Sequence, residues 1–78
     1  MKFSILKTLN YEMLNRNIDI YKSANGENPY IFMNYETIEA MESEIVPVPF
    51  STSKEFDWYR DCRLYRNDDL DFGEVELR

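Results

Sequence analysis

The stretch Pro29 to Met41, PYIFMNYETIEAM, limits the fold more than any other part of the chain. It opens with four consecutive apolar residues, Tyr30 to Met33, which suit a short buried strand. At Asn34 the pattern changes, and Tyr35, Ile38, Met41 and Ile45 recur at helical spacing. Asn34 is a good N-cap, because its side-chain oxygen can accept an amide hydrogen that the first turn leaves unpaired. Met33 and Ile38 occupy the two positions of a hydrophobic staple around that cap. Glu36 and Glu39 bring negative charge to the positive end of the helix dipole. A strand, a cap and a helix are therefore expected in succession, with the strand near the centre of a sheet.

The other elements are read around this unit. On a helical wheel, residues 4–22 separate into a polar side (Ser4, Thr8, Glu12, Asn15, Arg16, Asp19, Lys22) and an apolar side running from Leu6 to Tyr21. Lys7, Asn10 and Asn17 interrupt the apolar side. The pattern predicts one long amphipathic helix that ends before the turn signal Ser23-Ala24-Asn25-Gly26 and covers the domain's own sheet. Ile18 to Lys22 also alternate well enough to form a hairpin with Tyr30 to Met33, so that alternative stays open. Pro47 and Pro49 in IVPVPFSTS remove backbone donors, which makes Ile45 to Ser53 a connector. Phe56 to Tyr59 and Cys62 to Arg66 read as short strands about a tight Arg60-Asp61 connection. Cys62 and Leu64 face one side and Arg63 and Tyr65 the other. After a turn at Asn67-Asp68-Asp69, Val75 and Leu77 alternate with Glu74 and Glu76 in a last strand. The expected class is α+β, one small domain over residues 1–78: an N-terminal amphipathic helix, a central strand with its short helix, and a small sheet of C-terminal antiparallel strands.

Chemistry is limited by what the chain contains. It has no His, which removes the usual general base, the Ser-His-Asp arrangement and the commonest zinc ligand. Its single cysteine, Cys62, cannot form an internal disulfide. Arg60 and Arg63 beside it would favour a thiolate, but its alternation with Leu64 puts it on the apolar face as a small hydrophobe. The acidic turn Asn67 to Glu74 fails the EF-hand spacing in either register: Phe72 takes the glycine position in one, and Leu70 a ligand position in the other. The two glycines, Gly26 and Gly73, do not make a phosphate loop. The expectation is a non-enzymatic protein with no metal and no cofactor.

Charge points toward a partner. The net charge of −6 is uneven: residues 23–53 carry Glu27, Glu36, Glu39, Glu42 and Glu44 with no Lys or Arg, whereas residues 1–22 are net positive. Phosphate backbones should repel such a chain, so direct nucleic-acid binding is not expected, while a basic protein partner is favoured. No apolar run approaches the roughly 20 residues that cross a bilayer, and no signal peptide is evident, so a cytoplasmic setting without a membrane is expected.

An apolar strand ending in Met33-Asn34, a helix from Tyr35 to Met41, and the later DCRLYRNDDLDFGEVEL together resemble a segment of tailed-phage major capsid proteins. In that family a strand ending in Met-Asn leads into a short helix, and a later Gly opens a strand that runs into a polar turn. Asp61 stands here where that Gly would be, and Leu70-Asp71-Phe72-Gly73 occupies the turn. The likeness covers Pro29 to Met41 and Trp58 to Leu77 and implies a phage or prophage origin for a shrunken domain. Two functional expectations follow. The first is a small acidic inhibitor, of the type of anti-CRISPR proteins, that imitates DNA and blocks a basic host protein. Its contact residues would be Glu36, Glu39, Glu42 and Glu44 with Asp68, Asp69 and Asp71, and Tyr30 and Tyr35 would serve as aromatic anchors. The second is an assembly module of a phage particle that self-associates or docks on a capsid component, as a monomer or homodimer.

Overall fold

A computed structural model describes residues 1–6, 9–45 and 57–78. The elements are β1 (Lys2–Ser4), α1 (Tyr11–Asn25), β2 (Ile31–Met33), α2 (Tyr35–Ile45), β3 (Trp58–Tyr59), β4 (Cys62–Arg66) and β5 (Glu74–Leu77). They form an α+β domain with one five-stranded mixed sheet in the order β1-β5-β2-β4-β3.

The strand–cap–helix unit forms as its residues dictate. The Asn34 side-chain oxygen accepts from the Thr37 amide at 2.8 Å, and its carbonyl accepts from Ile38 at 3.1 Å. Met33 is fully buried, and Ile38 packs against the same core. β2 is the central strand, parallel to β4 (Phe32 opposite Tyr65) and antiparallel to β5 (Phe32 opposite Glu76).

The N-terminal third differs from the single helix expected over residues 4–22. Lys2 to Ser4 form an edge strand against Glu74 to Glu76. The helix starts only after Asn10, whose side-chain oxygen accepts from the Met13 amide at 3.1 Å. It then runs past Lys22 to Asn25 and is closed by Gly26, at φ +73°, whose amide donates to the Lys22 carbonyl. Ile18 to Lys22 lie inside this helix, which excludes the hairpin with Tyr30 to Met33. The C-terminal strands do not form a small antiparallel sheet of their own either. Only β3 and β4 form a hairpin; β4 runs parallel to β2, and β5 lies between β1 and β2. The hairpin turn is Arg60-Asp61, with φ +49° and +65°, the backbone that a two-residue type I′ loop needs. Ile45 ends α2, and the rest of the connector, 46–53, together with Phe56, lies outside the described residues.

One face of the sheet carries the core. Ile31, Met33, Cys62, Leu64, Val75 and Leu77 point inward and pack with Leu14 and Ile18 of α1 and Met41 of α2, so both helices cover the same face. Each such side chain contributes roughly 1.5–3 kcal/mol of hydrophobic stabilisation when fully buried. The opposite face of the sheet has no helix over it among the described residues. Phe32, Arg63, Tyr65, Glu74 and Glu76 alternate outward there, beside Trp58 and Arg78.

Candidate interaction surfaces

Thr37, the one polar residue among the buried side chains described, ties α2 to the C-terminal turn. Its hydroxyl donates to the Asn34 side-chain oxygen at 2.5 Å and accepts from the Gly73 amide at 2.9 Å. Gly73 has φ +80°, and a Cβ there would lie 2.3 Å from Leu6 Cγ, so glycine is required on both counts. A second tie comes from Asp68. One carboxylate oxygen accepts from the Tyr35 amide, at the start of α2, at 3.0 Å, and the other accepts from Arg66 at 2.7 Å. A carboxylate at that position both caps an orphan amide and opposes the helix dipole. The Arg66 hydrogen bond, and then the Tyr35 amide, hold the Asp68 carboxyl below the usual carboxylate range.

These ties join the acidic turn to the acidic helix. Asp68, Asp69 and Asp71 are exposed, as are Glu36, Glu39 and Glu44, while Glu42 is half-buried. α2 carries no basic residue, whereas α1 carries Arg16 and Lys22 beside Glu12 and Asp19. A hollow of about 260 Å³ at the junction is lined by Asn34, Tyr35, Glu36, Arg66 and Asp68. Tyr35 lies exposed at this end, with the Arg66 guanidinium 4.7 Å from its ring centre. Hydrogen bonding to Glu39 raises the Tyr35 phenol above its usual range. Glu44 stands apart at the far end of α2, where it accepts a hydrogen bond from the Tyr11 hydroxyl of α1.

Tyr30 does not belong to this surface. It lies before β2, at the end opposite Asn34, and its ring meets Tyr65 edge-on at 5.7 Å on the helix-free face of the sheet. That face gathers further exposed aromatic side chains that the functional expectations passed over, Trp58 and Tyr65 above all. The alternation of Arg63 and Tyr65 against Cys62 and Leu64 was the available sign of them. Phe32 stacks on Tyr65 at 5.3 Å, and the Arg78 guanidinium sits 4.3 Å from the Phe32 ring centre.

Cys62 is 1% exposed, and its burial raises the thiol pKa despite Lys22 and Arg60 nearby. A second hollow, along α1, is lined by Glu12, Asn15, Arg16, Asp19, Ile20 and Ser23, so neither hollow reaches Cys62. No group of three or more Cys, Asp or Glu among the described residues is arranged to hold a metal ion. No helix among them is long and apolar enough to cross a membrane. Comparison with protein-family models, with curated proteins and with solved structures returned no match.

Proposed function

We propose that this chain is a non-enzymatic interaction protein, encoded by a phage or mobile element, that binds and blocks a basic, nucleic-acid-binding host protein such as a defence component. The observation that carries the reading is the Asp68–Tyr35 hydrogen bond, which seats the acidic turn against the first turn of a helix without basic residues. Glu36 thereby adjoins Asp68 at the junction hollow, and with the exposed Glu39 on the same helix it offers the carboxylates best placed to meet Lys or Arg side chains of a partner. Asp68 itself is engaged by Arg66 and acts chiefly to hold the surface together. Tyr35 supplies the aromatic anchor at this end. The phage origin rests on the capsid-segment resemblance of Pro29 to Met41 and Trp58 to Leu77.

The test is parallel affinity capture from the native host with the unmodified chain and with the E36K/E39K variant. A basic protein retained by the first and lost by the second, with binding that weakens as salt is raised, is the expected result. Equal retention by both at low salt overturns the proposal.

A further inference from the structure

The helix-free face of the sheet has a two-row order. The β-register places Arg63 beside Trp58, and places Glu76, Phe32 and Tyr65 in line across β5, β2 and β4. Paired backbone hydrogen bonds between Tyr30 and Arg78, at 2.8 and 3.0 Å, extend the first row. One row therefore reads Arg78, Tyr30, Arg63, Trp58, and the next Lys2, Glu76, Phe32, Tyr65. Tyr30 and Trp58 are more than half exposed, and Tyr65 is 43% exposed. Trp, Tyr and Arg are the residues over-represented at interface hot spots. Arg63 is incompletely satisfied: its guanidinium lies 5.5 Å from the Trp58 ring centre and 5.7 Å from that of Tyr65. Among the described residues it makes no salt bridge, and its buried Nε has no hydrogen-bond partner.

We infer that this face is a self-association surface whose occupant is the same face of a second copy. Two sheets packed face to face run nearly aligned, about 10 Å apart. A two-fold axis across the strands, between the two rows, lays one row of each copy on the other row of its mate. Arg78 then meets Glu76, Tyr30 meets Phe32, and Arg63 meets Tyr65, each contact occurring twice as an isologous interface requires. Arg78 and Glu76 already pair within one chain at 2.9 Å, so the two-fold brings two such pairs together as a four-charge cluster of alternating sign, and the rows are self-complementary in charge and in shape class. A nucleic-acid strand is the poorer fit, because Glu74 and Glu76 stand on this face and the chain carries a net charge of −6. The dimer would have its helices outside, leaving the α2 surface free on both copies.

Sedimentation over a wide concentration range tests the inference, with emission from Trp58, the only tryptophan, reporting on the face itself. The expected result is a reversible dimer whose formation shifts Trp58 emission. Tyr65→Arg and, separately, Tyr30→Arg should each weaken it about tenfold or more. Both side chains are exposed, so circular dichroism and melting should stay unchanged. E36K/E39K should dimerise as the unmodified chain does, which separates this outcome from any failure of the α2 proposal. A strict monomer up to millimolar concentration overturns the inference. So does a dimer indifferent to both arginine substitutions, or Trp58 emission that responds to a single-stranded oligonucleotide and not to protein concentration.

Discussion

The Thr37 hydroxyl accepts a hydrogen bond from the Gly73 amide at 2.9 Å, joining two residues 36 positions apart inside the core. With the Asn34 side chain as its own acceptor, Thr37 links the cap of α2 to the turn that delivers β5. Replacing it by Val keeps the shape and strands the buried Gly73 amide. T37V should therefore lose about 1–3 kcal/mol in urea unfolding. An unchanged midpoint would show the link to be dispensable.

The two glycines should respond unequally to alanine. G26A introduces left-handed strain alone, because nothing lies within 4 Å of the new methyl, and should cost about 1–2 kcal/mol. G73A adds a collision with Leu6 Cγ to the same strain and should cost more, on the order of 2–4 kcal/mol. Chemical denaturation of the pair ranks them. Equal losses would mean that Leu6 moves aside freely.

Asp61 holds a left-handed conformation in the β3–β4 hairpin at φ +65°. Glycine adopts it without a Cβ penalty, although it also loosens the unfolded chain. D61G is expected to raise stability by about 0.5 kcal/mol, read as a higher urea midpoint, and a lower midpoint contradicts it.

Asp68 has its folded carboxyl pKa depressed by Arg66 and the Tyr35 amide. The sign follows from linkage. Its contribution is complete above the unfolded carboxylate value of about 4 and is lost as pH falls through the lower folded value. Carboxyl ¹³C shifts should place the Asp68 midpoint below that of an ordinary aspartate, and R66Q should move it upward. A midpoint insensitive to R66Q would leave the amide of Tyr35 as the principal cause.

Burial of Cys62, and the raised thiol pKa that follows, make it unreactive in the folded state. Thiol labelling at mildly alkaline pH should proceed only as the chain unfolds and should quicken with urea in step with loss of structure. Rapid labelling of the folded protein would show local opening of the β3–β4 hairpin.

The parts legible in the sequence were those whose determinants are local. Asn34 with Met33 and Ile38 contains its own cap and staple, and the Cys62/Leu64 and Val75/Leu77 alternations contain their own facing. Strand order is not local. Phe3 pairs with Val75 far along the chain, and nothing near Lys2 to Ser4 signals that partner, so the helical wheel ran on through them. Asn10 carries a cap signal, but on a helical wheel over residues 4–22 it fits equally as a polar interruption of a longer helix. The acidic surface was visible as composition. Its junction with the Asp68 turn depends on a hydrogen bond between residues 33 apart, which spacing alone cannot supply. Tyr30 and Tyr35 are only five residues apart, yet β2 separates them, with Tyr30 before the strand on the helix-free face and Tyr35 beyond its other end at the start of α2.

The position of β5 between β1 and β2 also orders events in time. During synthesis α1, β2, α2 and the β3–β4 hairpin are all available before Glu74 to Leu77 exist, while β1 has nothing to pair with and one side of β2 remains an open edge. Domains fold as units once their parts are present, and exposed strand edges invite aggregation until then. The sheet closes only when Glu74 to Leu77 have left the ribosome, so from the synthesis of β2 until then the nascent chain carries an unprotected edge.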